Sequence, residues 1–178
     1  MKLREMLRIA LFAALICVLA PFSIGEPIPV TLATFAIYLS AATLGPASGT
    51  IAVVLYVLLG AVGLPVFANS QGGVQKLVSS TGGYIIGYVP LAFITGLFAN
   101  IKSLQSKRFS FGMVLGMVLG TVVLYALGTA WFVRQSGARF SYALAVCVVP
   151  FLIGDALKIV GASALAPILR REISHRRK

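Results

Sequence analysis

Two groups of residues in this sequence have the types and spacing to do chemistry on a bound molecule. The first is Asp155 and Lys158, three residues apart in a long apolar run, which puts both on one face of a helix. An ionisable group at mid-membrane costs on the order of 2.5–3.5 kcal/mol and normally faces an interior cavity. The pair can be a self-neutralising ion pair that only packs helices, or the polar floor of a ligand pocket, and we read it as the floor. Pro150, a little over one turn earlier, bends the helix there and frees a carbonyl. The second group is Gly60-Ala61-Val62-Gly63-Leu64-Pro65-Val66-Phe67-Ala68-Asn69-Ser70-Gln71-Gly72-Gly73, then Lys76, then Thr81-Gly82-Gly83-Tyr84. Its glycines let the backbone approach a ligand closely. Phe67 and Tyr84 can flank a flat apolar body, while Asn69 and Gln71 offer donors and acceptors. Together the two groups describe a pocket for a small, partly polar molecule that is neutral or singly negative.

The elements that must position these residues are membrane spans. Of 178 residues, 59% are hydrophobic and 11% charged, and the mean hydropathy is +0.99. Soluble domains carry roughly 25% charged residues. One crossing needs about 20 apolar residues, so the length accommodates five to seven. Six spans are expected, at about 4–20, 31–44, 49–63, 82–100, 111–132 and 142–169, with an outer loop over 64–81 and the whole chain a single transmembrane domain. The first run resembles a signal-peptide core, but Pro21 directly after Ala20 makes a poor processing site, so it is read as a retained span. Gly25-Glu26-Pro27-Ile28-Pro29 is a stiff, non-helical connection, Gly45-Pro46 a tight turn, and Ser48 a cap for the third span.

The net charge of +11 sits at helix ends. With the N-terminus inside, eleven Lys and Arg fall on the inner side: Lys2, Arg4, Arg8, Lys102, Lys107, Arg108, Arg170, Arg171, Arg176, Arg177 and Lys178. Lys76, Arg134 and Arg139 fall outside. Both termini are therefore expected in the cytoplasm, and the charge reads as an orientation signal, not a nucleic-acid surface. Gly112, Gly116 and Gly120 recur every fourth residue, Gly128 continues that face, and Gly83 and Gly87 repeat the spacing. In lipid such faces let helices pack closely. Ala10 and Ala14 form a similar face on the first span, open to a partner. Cys17 and Cys147 read as packing residues, and no metal constellation is present in the sequence. An intramembrane hydrolase would need an embedded histidine, and the one histidine, His175, lies in the basic tail, so an enzyme is not expected.

The segment Gly63-Leu64-Pro65-Val66-Phe67-Ala68, then Gly72-Gly73, then Thr81-Gly82-Gly83-Tyr84, closely resembles the signature of the BioY family. These proteins are biotin-binding S components of energy-coupling-factor (ECF) vitamin transporters. The Asp155-x-x-Lys158 pair and Pro29-Val30-Thr31-Leu32 fit as well, although Ala33 stands where the family often has Gln. The resemblance implies an all-α integral membrane protein with the ECF S-component fold in the prokaryotic plasma membrane. Biotin would be its transported ligand, and no cofactor is implied. Asp155 would accept from a ureido N–H, Asn69 would donate to the ureido carbonyl, and Phe67 and Tyr84 would make ring contacts. Gln71, Gly72, Gly73, Thr81 and Gly83 would complete the site. Lys158 and Lys76 are both candidates for the biotin carboxylate. The implied partners are a transmembrane coupling subunit (ECF-T), met through Ala10 and Ala14, and two ATPase subunits (ECF-A type), since no G-x-x-x-x-G-K-[ST] loop occurs in the chain. The alternatives are a solitary biotin facilitator and an S component for another vitamin.

Overall fold

In hydrocarbon every backbone N–H and C=O must be paired within the protein, so a chain of this composition folds into helices. A computed structural model describes residues 3–25, 28–101 and 111–175. Lys2, Glu26, Pro27, Lys102, Lys107, Arg108, Arg176, Arg177 and Lys178, and the side chain of His175, lie outside the described residues. The elements are α1 (Leu3–Leu19), β1 (Ser23–Ile24), β2 (Val30–Thr31), α2 (Ala33–Leu44), α3 (Pro46–Ala61), α4 (Val74–Val78), α5 (Gly82–Ala99), α6 (Phe111–Ser136), α7 (Phe140–Cys147) and α8 (Val149–His175). A short turn, Ala68–Ser70, precedes α4.

Among the described residues, three stretches are long and apolar enough to cross a membrane: Gly82–Ala99, Phe111–Ser136 and Phe140–Ile173. The fold is that of an all-helical integral membrane protein, and the shorter helices are consistent with six crossings. With 12 residues, α2 spans only about 18 Å of a bilayer core about 30 Å thick. The extended residues of β2 prolong it.

Helix α2 is the axis of the bundle: Ala33, Thr34 and every residue from Ala36 to Thr43 are buried. It contacts α1, α3, α5 and α8. A tight turn at Gly45 (φ +86°) joins it to α3, and Pro46 opens α3, where its missing N–H costs nothing. Ser48 is not the cap of that helix; its hydroxyl donates to Glu5 Oε1 at 2.8 Å and ties α3 to α1. Helix α1 buries Ile9, Phe12, Ala13 and Ile16. Its other face leaves Leu3, Leu7, Ala10, Leu11 and Ala14 exposed.

The most extensive helix pairing is α5 with α6. A Cβ on Gly116 would stand 3.0 Å from Thr95 O, and one on Gly120 would stand 3.0 Å from Leu91 O. The fourfold glycine spacing of α6 is thus the seam along which α5 lies, and packing there is backbone on backbone.

The last span, expected as one helix over 142–169, is divided. Val148 leaves helical geometry (φ −124°, ψ −54°) between α7 and α8. Pro150 has no N–H to give to the preceding turn. The chain recovers by a Phe151 N–H donated to Val148 O at 3.0 Å. Helix α7 then packs on α6 while α8 packs on α2.

Candidate functional site

The break after Cys147 exposes a backbone carbonyl, and the Tyr84 hydroxyl donates to it at 3.0 Å. About two helical turns further, α8 aims Asp155 at the interior, with the residue 3% exposed. Its Oδ1 accepts the Lys158 ammonium at 2.8 Å and the Thr34 hydroxyl at 3.2 Å, and its Oδ2 accepts the Tyr125 hydroxyl at 2.7 Å. Lys158 Nζ also donates to Thr34 Oγ1 at 3.0 Å. Three helices, α2, α6 and α8, therefore converge on one carboxylate. Charges this deep are retained only when paired and hydrogen-bonded, which these are.

This network is the floor of a cleft lined from α2, α3, α5, α6 and α8, a concave, mostly apolar space with a few convergent polar groups, as small-molecule sites have. Aromatic rings make much of the wall: Tyr56 on α3, Tyr84 and Tyr88 on α5, Tyr125 on α6 and Phe151 on α8. Tyr84 stacks on Phe151 with centroids 6.4 Å apart and planes 16° from parallel. Flat apolar walls over a charged floor suit a ring that carries polar edges. The roof comes from two loops, with Ile28, Pro29 and Thr31 on one side and Ala68, Lys76 and Thr81 on the other.

Of the residues singled out in the sequence, Lys76, Thr81, Tyr84, Asp155 and Lys158 are brought together on the cleft. Among the described residues, the Lys76 ammonium has no hydrogen-bond or ion-pair partner, in contrast to Lys158. Phe67, Asn69, Gln71, Gly72, Gly73 and Gly83 are not among the lining residues, and each builds the frame instead. Phe67 is buried edge-on to Tyr56, centroids 5.6 Å apart, with its ring over Gly60. Asn69 is bound to Ser23. Gln71 is exposed and accepts the Phe67 N–H through its carbonyl at 2.9 Å. Gly73, at φ +93°, donates its N–H to Gly60 O at 2.7 Å, a conformation side chains resist. Gly72 passes close to the Leu64 carbonyl, and Gly83 lies against Trp131. Trp131 Nε1 donates to Ser79 O at 2.9 Å and Gln135 Nε2 to Val78 O at 2.5 Å, which fastens the end of the loop to α6.

Sequence reasoning missed Thr34, Tyr56, Tyr88, Tyr125 and Phe151. Thr34 and Tyr125 carried a usable signal, since a hydroxyl inside an apolar span needs a polar partner somewhere in the bundle.

A model of the BioY family matches residues 1–175. The chain is 43% identical over 171 residues to the biotin transporter BioY of Thermotoga maritima, covering 95% of this chain and 97% of that one. It is 36% identical over 172 residues to the probable biotin transporter BioY of Pyrococcus horikoshii, covering 96% and 98%. Among solved structures it resembles the S-component for biotin from an ECF-type ABC transporter, with a TM-score of 0.84 and 28% identity over 97% of this chain and 92% of that one.

Proposed function

The chain belongs to the BioY family, and from that membership we propose that it is the biotin-binding subunit of a membrane transporter, with biotin seated in the cleft above Asp155 and Lys158. It is a multi-pass protein of the cell membrane and a transport component, not an enzyme. The observation that carries the ligand reading is the three-helix network on Asp155. A carboxylate offers about four lone-pair sites. Three are taken, two on Oδ1 and one on Oδ2, so Oδ2 retains one for a ureido N–H. Lys158 uses two of its three hydrogens, and the third can donate to the ureido carbonyl. That role falls to Lys158 and not to Asn69, which is engaged outside the cleft. Lys76 at the roof, without a partner among the described residues, then meets the carboxylate of the valerate chain, and the tyrosine walls hold the thiophane ring.

Calorimetric titration of the purified chain, freed of endogenous ligand, tests this reading, with thiamine and riboflavin as controls. One-to-one biotin binding is expected; none, with a response to another vitamin, would overturn the ligand assignment. In the same experiment Lys76→Gln should weaken biotin about 10- to 100-fold, the worth of one charge-assisted hydrogen bond. It should leave biotinol, the neutral alcohol, nearly unchanged.

Energy for uptake comes in this reading from a coupling subunit and ATPase subunits. The exposed strip of Ala10 and Ala14 on α1, flanked by Leu3, Leu7 and Leu11, supports it, since small side chains let a foreign helix approach closely. Changing both alanines to leucine should cut cellular uptake of labelled biotin at least about tenfold, while affinity in detergent stays within about twofold. Full uptake by that variant, or by the wild-type chain in a host without the partner subunits, would favour a solitary facilitator.

A further inference from the structure

The roof of the cleft contains two successive residues in the left-handed backbone region, Asn69 at φ 58° and Ser70 at φ 54°. Asparagine visits that region readily and serine does so at a cost. Such a pair persists where the surroundings hold it, and Ser23 of β1, distant in sequence, supplies the hold. Its hydroxyl donates to Asn69 Oδ1 at 2.6 Å and accepts the Asn69 backbone N–H at 2.9 Å. Pro21 O lies 3.2 Å from the same hydroxyl, but one hydroxyl has one hydrogen, and the shorter contact takes it.

The joined loops are the two that cover the cleft. Ser23 pairs across the ribbon with Thr31, and Asn69 directly follows Ala68. Thr31 and Ala68 line the cleft, whereas Ser23 and Asn69 do not. The second strand is anchored in the core by buried Ile28 and Thr31, but among the described residues the first strand is lightly held: it has two residues, Ile24 is 83% exposed, and a Cβ on Gly25 would meet nothing within 4 Å. The opposite margin of the roof is tied to α6 by Trp131 and Gln135. Parting the roof therefore means parting Ser23 from Asn69.

We propose that Ser23 and Asn69 are positioning residues, a clasp that fastens the β1–β2 ribbon to the 68–70 turn and sets the rate at which a ligand leaves the cleft. The release role rests on the reading that this cleft holds the transported ligand; the clasp itself does not.

The test has two arms on the purified full chain. In the first, without ligand, hydrogen–deuterium exchange is compared between wild type, Ser23→Ala and Ser23→Thr. Faster exchange over residues 22–32 and 67–71 is expected in Ser23→Ala, with α2 and α5 unchanged and Ser23→Thr, which keeps the hydroxyl, close to wild type. Exchange unchanged in Ser23→Ala would overturn the clasp. In the second arm, dissociation of labelled biotin should quicken about tenfold in Ser23→Ala while association changes less than about threefold. Asn69→Gly, which accepts the left-handed backbone but lacks the amide, should also dissociate faster, and the double variant should add little to Ser23→Ala because both act through one contact. A wild-type dissociation rate in Ser23→Ala would overturn the release role. Failure of the wild type to bind biotin would overturn the ligand reading and with it the release role for biotin, while the exchange arm still decides the clasp.

Discussion

Asp155→Ala is expected to weaken biotin binding by at least about 100-fold and to lower the thermal unfolding midpoint of the protein in detergent. The two effects have separate causes. The loss of affinity follows from removing the one acceptor on which α2, α6 and α8 converge, since Thr34, Tyr125 and Lys158 all donate to it. The loss of stability follows from Lys158, whose side chain is 10% exposed and would be left as a buried cation without its counter-ion. Removing one partner of a buried pair costs on the order of 3–5 kcal/mol, whereas replacing both by apolar residues is often close to neutral. The double variant Asp155→Ala/Lys158→Met should therefore recover most of the midpoint and none of the affinity. Calorimetry and thermal unfolding on the same preparations give both readings. Biotin affinity within tenfold of wild type in Asp155→Ala would remove the carboxylate from the site.

Gly128→Val should have the second largest effect. A Cβ at Gly128 would run into the Tyr84 ring, touching Cζ, Cε1 and Cε2. That ring has little freedom: its hydroxyl is held to Cys147 O at 3.0 Å and lies 3.4 Å from Thr129 Oγ1, and its face stacks on Phe151. The open direction is the cleft it lines. Overpacking of this sort costs about 1–3 kcal/mol, and the displaced ring would occupy ligand space as well. Affinity should fall about tenfold for Gly128→Ala and at least about 100-fold for Gly128→Val, with a midpoint that drops in the same order. Adding Tyr84→Ala to Gly128→Val should return the midpoint toward wild type. If it does not, the clash lies elsewhere.

What could be read from sequence depended on how local each determinant is. Asp155 and Lys158 were legible because helical periodicity alone puts them on one face, and because a charge in an apolar run has few innocent explanations. Thr34 and Tyr125 were not, since their partner lies on another span and nothing in a linear pattern says which spans touch. The glycine face of α6 was legible as a packing seam, but not that its continuation at Gly128 supports a tyrosine of the cleft wall. Pro150 marked a bend in the last span, yet the break falls at Val148, because the missing N–H of a proline is felt in the turn before it. The loop residues illustrate the opposite limit. Their density of Gly, Asn and Gln marked the segment as special, and the same types serve equally well for gripping a ligand or for folding a tight roof. In the structure Phe67, Asn69, Gln71, Gly72 and Gly73 form the roof's own scaffold, while Lys76, Thr81 and Tyr84 border the space beneath it.

The attachment of Trp131 to Ser79 has a practical side. It is the chain's single tryptophan, and its indole N–H is committed to a carbonyl at the edge of the roof. Excited selectively, the protein therefore emits from one known place, with no label and no engineered chromophore. Indole emission responds to hydrogen bonding and to water at the N–H, so the wavelength of that light tracks whether residues 78–79 are seated on α6. Native fluorescence thus gives an optical record of the roof in real time, separate from any measurement of the ligand itself.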